Sequence, residues 1–100
     1  MDINYKWIGW CKEDNHDKVW GVIDLGGDGR WSRKYVTFWG RRGKKLSTKI
    51  STTAEFEVEK LVRTKENKGY NQVNRAHLDD VYPEFQSDLE QTAVWALLSS

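Results

Sequence analysis

The residues with the greatest capacity for binding chemistry lie within residues 30–49. This segment contains eight Lys and Arg residues and no Asp or Glu, although the 100-residue chain has a formal net charge of only +1. Its central part, residues 37–45, adds Phe38, Trp39 and two glycines to four cations. Positive charge concentrated in this way is typical of a site for an anionic ligand such as nucleic acid.

Strand alternation would divide the side chains of this segment between two faces of a sheet. If residues 33–41 are extended, Val36 and Phe38 face the core. The opposite face then carries two arginines, two aromatic residues and a threonine, namely Arg33, Tyr35, Thr37, Trp39 and Arg41. Such a face can neutralise phosphates and stack on sugars or bases, at about 1–3 kcal/mol per stacked base. Alternatively, Trp39 packs in a second layer and the arginines are solvated, and the pattern leaves both interpretations open.

The first half of the chain has the composition of β-strands separated by polar or glycine-rich segments. The β-rich runs are residues 3–11, 18–25, 33–39 and 46–50. We predict a loop at residues 12–17, a hairpin turn at residues 26–29 and a second turn at residues 42–45. Short connections of this kind predict an antiparallel sheet.

A helical period follows the predicted strands. Thr52 and Glu55 have the spacing of a capping box, and Gly69 suits the position just past a helix end. The helical period gives one apolar stripe, which ends at the aliphatic part of a lysine side chain. It consists of Ala54, Val58, Leu61, Val62 and Lys65. We therefore predict an amphipathic helix over residues 54–67, with its stripe in the core, followed by a short edge strand at residues 70–73.

The C-terminal residues 76–100 differ in character, because they contain five acidic residues and no Lys or Arg. Phe85, Leu89, Ala93 and Ala96 have helical spacing, which predicts one further helix. The expected architecture is therefore α+β: a domain over residues 1–75, with a small antiparallel sheet and one packed helix, and an acidic helical extension over residues 76–100 packed on the same domain. Its carboxylates either form a solvated face or fold over the basic segment and compete with nucleic acid.

Other kinds of site find little support in the sequence. Cys11 and His16, with Asp14 and Asp17 nearby, lack further ligands at the spacing that zinc requires, so we predict neither a metal nor a cofactor. No nucleophile has a base and an orienting residue, so we predict no enzymatic activity. A signal peptide and a membrane-spanning apolar run are both absent, which predicts an intracellular location: the cytoplasm or nucleoid, or the nucleus of a eukaryote.

Taken together, these motifs resemble the WGR domain, the DNA-damage-sensing module of DNA-dependent poly(ADP-ribose) polymerases and of some bacterial proteins. The residues Trp39-Gly40-Arg41 match its signature, and Gly43 matches the glycine that usually follows. Asp17-Lys18-Val19-Trp20 is similar to the Asn-Lys-Phe-Tyr of the family's preceding strand, and the helix of residues 54–67 is similar to its amphipathic helix. The resemblance covers roughly residues 3–73.

The resemblance implies a site at a DNA strand end. Trp39 would pack its indole on the sugar of a terminal nucleotide, Gly40 would allow close approach of the backbone, and Arg41 would contact phosphate or a neighbouring domain. Lys18 would be a phosphate contact. The strand face adds Tyr35, and charge alone adds Arg30, Arg33, Arg42, Lys44 and Lys45.

The chain departs from the family pattern at two positions near the signature. Arg42 replaces a residue that is usually apolar, and Asp17 replaces an asparagine. We predict a non-enzymatic nucleic-acid-binding module, with DNA as the expected ligand, RNA still open, and a preference for strand ends or breaks. The alternative is a protein-interaction module or a small modulator of a partner enzyme.

Overall fold

Five strands form one open antiparallel sheet in the spatial order β4-β3-β2-β1-β5. The strands are β1 (Tyr5–Glu13), β2 (His16–Asp28), β3 (Ser32–Arg41), β4 (Ser47–Thr53) and the two-residue β5 (Asn71–Gln72). The computed structural model describes residues 3–13 and 16–98. Each of the first four strands pairs with its neighbour in sequence, and the predicted α+β class with an antiparallel sheet is confirmed.

The strands of the first two hairpins extend further than predicted. Lys12 pairs with Asp17 across β1 and β2, so the expected loop at residues 12–17 is largely strand, and its residues 14 and 15 lie outside the described residues. Strand β2 continues to Asp28, and the chain turns at residues 29–31 instead of 26–29. Arg33 holds the extended β2–β3 pair together through hydrogen bonds to both carboxylate oxygens of Asp24.

One face of the sheet is covered by the helix α1 (Glu55–Asn67). Val58 is buried there in a cluster with Trp7, Trp20, Val22 and Tyr35. Because β3 alternates as predicted, Tyr35 faces this helix, whereas Val36 and Phe38 enter the core on the other face.

The ends of α1 agree only partly with the sequence signals. The predicted capping box is wrong, because Thr52 is paired with Lys34 in the sheet and Ala54, the N-cap residue, makes no side-chain cap hydrogen bond. Leu61 is 45% exposed, so the predicted core stripe is narrower than its spacing indicated. Gly69 ends the helix with φ +102°, as predicted for a residue that must adopt positive φ.

The opposite face is covered by the C-terminal residues, which form three short helices instead of the single one predicted. These are α2 (Arg75–Val81), α3 (Phe85–Glu90) and α4 (Trp95–Leu98). Pro83 disfavours helical backbone at the preceding residue, and Tyr82 is accordingly non-helical, with φ −140° and ψ 80°. Phe85 is fully buried in a cluster that includes Phe38, so these helices share one core with the sheet.

The acidic residues of this segment lie mostly on its outer surface. Asp79, Asp80, Glu84 and Glu90 are exposed, while Asp88 accepts a hydrogen bond from the hydroxyl of Tyr82. Among the described residues, no helix combines the length and apolar character needed to cross a membrane.

Candidate nucleic-acid interface

A cleft of about 410 Å³ opens where β2 begins and β3 ends. Four residues of the predicted site, Lys18, Trp39, Gly40 and Arg41, line it together. The remaining lining residues are Asp17, Lys65 and Tyr70. The structure therefore gathers the signature residues and Lys18 at one place, and adds Lys65 and Tyr70, which were not predicted as site residues.

The register of β2 and β3 sets the floor of the cleft. Lys18 lies directly opposite Arg41, and Trp20 lies opposite Trp39, so all four side chains are on the α1 face of the sheet. Like charges directly opposite each other in a sheet are destabilising. This register thus places two positively charged side chains next to each other on the floor of the cleft.

Contacts from β1 and α1 explain why one tryptophan of this face is buried and its neighbour is not. Trp20 packs against Trp7 of β1, with ring centroids 5.8 Å apart, and lies under the amine of Lys65 from α1. Trp39 lies on β3, one strand further from β1. Trp20 is 5% exposed, but Trp39, across from it, is 39% exposed and available for stacking.

Lys65, in the last turn of α1, supplies the third cation of the cleft. Its Nζ lies 5.5 Å from the ring centroid of Trp20 and 5.8 Å from that of Tyr70. Desolvation, followed by the charges of Lys68 and Lys18, lowers the pKa of Lys65 below its ordinary value. A phosphate in the cleft would raise this pKa, because its negative charge stabilises the charged amine.

The sequence contained a weak signal for Lys65. A lysine that continues an apolar helical stripe must run its stem along the sheet and bring its amine out at the helix end. The pattern placed this residue at the edge of the core, but it could not show that the edge coincides with the signature residues. Tyr70, assigned to an edge strand, carried no such signal.

Arg42 has a structural role, and its prediction as a nucleic-acid contact is not supported by its contacts. Its guanidinium donates to the carboxylate of Asp17, with Nη2–Oδ2 at 2.8 Å, and to the backbone carbonyl of Val81 at the end of α2. It also lies 5.1 Å from the ring centroid of Trp10, whose indole donates to Asp17 at 2.7 Å. The two departures from the WGR pattern, Asp17 and Arg42, are thus partners in one ion pair.

This network also sets the charge state of Asp17. Desolvation raises the pKa of Asp17, but hydrogen bonds from Trp10 and Arg42, with the charges of Arg42 and Lys12, outweigh it and lower the pKa below its ordinary value. The carboxylate is therefore ionised at neutral pH and already neutralised by Arg42. The cations that line the cleft are Lys18, Arg41 and Lys65.

Three further predicted residues lie away from the cleft or are inaccessible. Tyr35 is fully buried under α1, so its ring cannot stack on an external base. Arg33 is engaged with Asp24 and with the carbonyl of Gly29. Arg30 is exposed, but it precedes β3, whereas Arg41 ends this strand, about 30 Å away along it.

The turn between β3 and β4 flanks the cleft. Lys44 and Lys45 are exposed there without lining the cleft, and Gly43 has φ +84°, which the turn requires. Gly40 lines the cleft through its backbone. A Cβ at Gly40 would only touch Leu46 and the carbonyl of Lys45, both 3.4 Å away, so the backbone conformation, with φ +154°, is what favours glycine here.

The described residues contain no group of acidic, His or Cys side chains that could hold a metal ion. Cys11 is buried, and Asp14 and the side chain of His16 lie outside the described residues. Comparison of the chain with models of protein families, with curated proteins and with solved structures finds no match. The resemblance to the WGR domain thus stands on its motifs and on the order of its elements.

Proposed function

We propose that this protein is a non-enzymatic DNA-binding module that receives a strand end in the cleft at Trp39. The observation that carries the proposal is the meeting of three cations, Lys18, Arg41 and Lys65, with the half-open indole of Trp39 in one concave site. Cations would bind phosphates, and the indole would stack on a sugar or base. The resemblance to the WGR domain supports the same ligand and an intracellular place of action.

The first test is binding measured by fluorescence anisotropy across a salt series. The ligands are a 5′-phosphorylated duplex, a nicked duplex and single strands of DNA and RNA. If the three cations each neutralise one phosphate, log K should fall with log salt with a slope of about −3 for duplex and about −2 for single strands. Absence of binding to every ligand at low salt would refute the proposal.

The second test separates the cleft from diffuse charge. Trp39→Ala should weaken binding about 5- to 150-fold, because one stacking contact contributes about 1–3 kcal/mol. Trp31→Ala is the matched control, since Trp31 is 76% exposed and lies in the β2–β3 turn, at the far end of β3. Equal losses in the two variants, or an equal loss in Lys49→Ala, would reduce the site to non-specific attraction.

A second surface favours the alternative of a protein-interaction module. Trp31 and Phe56, which is 47% exposed, form an edge-to-face pair with centroids 6.1 Å apart beside a cleft of about 230 Å³. Exposed aromatic residues in contact are typical of interface anchors. A stoichiometric protein partner that survives nuclease and high salt, and is lost with Trp31→Ala but not with Trp39→Ala, would establish this function.

A further inference from the structure

The size of the Trp39 cleft bears on which kind of strand end it can accept. Its volume of about 410 Å³ falls within the range of about 300–1,000 Å³ that is usual for small-molecule sites. The cleft is concave, with walls from β2, β3, the last turn of α1 and Tyr70. A single nucleotide is comparable in size to the small molecules that sites of this volume accept.

The cations of the cleft lie on the same walls as Trp39. Lys18 and Arg41 are opposite each other on the floor, beside Trp39, and Lys65 extends from the helix above them. The amine of Lys65 is held near two rings, those of Trp20 and Tyr70, at 5.5 and 5.8 Å. A base against Trp39 would thus place its own phosphate within a group of cations supplied by three different elements.

We propose that the cleft takes one unpaired nucleotide at a strand end, with its base on Trp39 and its phosphate among Lys18, Arg41 and Lys65. This inference rests on the proposed function and narrows its ligand to ends with an overhang. The protein then discriminates overhanging ends from blunt ends, and Lys65 is a specificity-determining residue of the site.

The free energy of breaking a base pair explains why an overhanging end should bind more tightly than a blunt end. Stacking a base on an aromatic ring raises affinity about 5- to 150-fold, which corresponds to about 1–3 kcal/mol. Extracting a base from a blunt end costs a free energy of similar size, whereas an overhanging base has no pair to break. The stacking gain is therefore largely cancelled at a blunt end and retained at an overhang. We expect at least a tenfold preference for the overhang.

The experiment compares four DNAs with the same duplex sequence and length in fluorescence anisotropy. They carry a two-nucleotide 3′ overhang, a two-nucleotide 5′ overhang, blunt ends, or ends closed by hairpin loops. At least one overhang should bind ten or more times more tightly than the blunt and closed duplexes. Lys65→Met should lower the magnitude of the salt slope for the overhanging DNA by about 0.7–0.9, as for loss of one phosphate contact.

Variants assign the preference to the cleft. Trp39→Ala should abolish the preference, Trp39→Phe should retain part of it, and Trp31→Ala should leave it unchanged. Thermal unfolding shows whether each variant is folded. If Trp39→Ala does not fold, Trp39→Phe takes its place in the comparison, and its preference for the overhang should be smaller than that of the wild type. In the wild type, a nucleoside 5′-monophosphate should shift the indole N–H resonance of Trp39 and leave that of Trp31 in place.

Two outcomes separate this inference from the function on which it rests. Equal affinity for overhanging and blunt ends, with binding still dependent on Trp39, would overturn the unpaired-nucleotide site and leave end binding intact. No binding to any of the four DNAs would overturn the proposed function itself. A nucleoside monophosphate that leaves the Trp39 resonance unchanged would also count against the inference.

Discussion

The ion pair between Asp17 and Arg42 should make a measurable contribution to stability. The two side chains are 27% and 28% exposed, and Nε and Nη2 of the arginine lie 3.1 and 2.8 Å from the same carboxylate oxygen. Asp17→Asn retains an oxygen for the Trp10 indole, and Arg42→Met retains an unbranched stem beside the Trp10 ring. A double-mutant cycle with these substitutions therefore isolates the interaction between the charges.

The contacts set the expected magnitude of this interaction. Exposed ion pairs contribute about 0.2–1 kcal/mol, and hydrogen bonds to charged groups contribute about 1.5–3 kcal/mol. A partly exposed pair lies between these limits, so we expect a coupling of about 1–1.5 kcal/mol. Arg42→Met also loses the bond to Val81 and the stacking on Trp10, which should bring its total cost to about 2–3 kcal/mol.

Urea unfolding at pH 7, followed by tryptophan fluorescence, measures the cycle. For a chain of this size, 1 kcal/mol corresponds to about 4–8 °C in Tm, so thermal unfolding provides a second measurement. Arg30→Met is the matched control, because Arg30 is exposed, and its effect should stay within about 0.5 kcal/mol. If the effects of Asp17→Asn and Arg42→Met add to within about 0.3 kcal/mol, the pair does not stabilise the protein.

The dependence of this coupling on pH has a definite sign. The pKa of Asp17 in the folded protein is lowered, so it lies below the value of about 3.9 in the unfolded chain. The stabilisation is fully present above the unfolded value and is lost as the pH falls through the folded one. The coupling should therefore be constant from pH 7 to about pH 5 and decline below pH 4. A coupling that persists at the lowest pH of the folded state would contradict this mechanism.

Three further substitutions test the packing. Phe85→Ala should cost about 3–5 kcal/mol in urea unfolding, because this ring is fully buried against the sheet; an unchanged midpoint would mean that the C-terminal helices do not share the core. A Cβ at Gly21 would lie 2.2 Å from the ring of Phe38, so Gly21→Ala should lower the free energy of unfolding by about 1–3 kcal/mol or more. Adding Phe38→Leu should restore part of this stability. A Gly21→Ala variant as stable as the wild type would show that the ring can move. Desolvation and two neighbouring lysines lower the pKa of Lys65 in the folded protein. The free energy of unfolding of the wild type should therefore rise with pH between this lowered pKa and the unfolded value of about 10.4. In urea titrations, any stability advantage of Lys65→Met over the wild type should shrink over that pH range, and a constant difference would contradict the lowered pKa.

Much of the fold followed from local patterns. The alternation of β3 correctly assigned Val36 and Phe38 to one core and turned Tyr35 and Trp39 to the other face. The helix of residues 54–67 and its end at Gly69 were also predicted to within a residue. These features depend on side-chain period and on backbone preferences, and both are properties of neighbours in sequence.

The predictions that were wrong share a physical cause. Thr52 has a good local use as a helix cap, but pairing with Lys34 in the sheet takes precedence. Phe85, Leu89, Ala93 and Ala96 have helical spacing, but packing against the sheet divides this stretch into two short helices, and Pro83 separates a third helix from them. In each case a contact between residues distant in the sequence, or a backbone restriction, outweighed a local propensity.

For the candidate site, the sequence by itself determined the chemistry: a run of cations without acids, and an aromatic residue within it. Only the tertiary structure decided which of these groups can act together. Strand register placed Lys18 beside Arg41. The place of Trp39 on β3, one strand further from β1 than Trp20, left it half-exposed, and α1 brought Lys65 to the cleft. Arg33 and Arg42 form ion pairs within the protein, and Tyr35 is buried, so these three residues do not contribute to the cleft. Charge and residue type can be read from the sequence, whereas the accessibility and the pairing of a side chain depend on which distant residues come into contact when the chain folds.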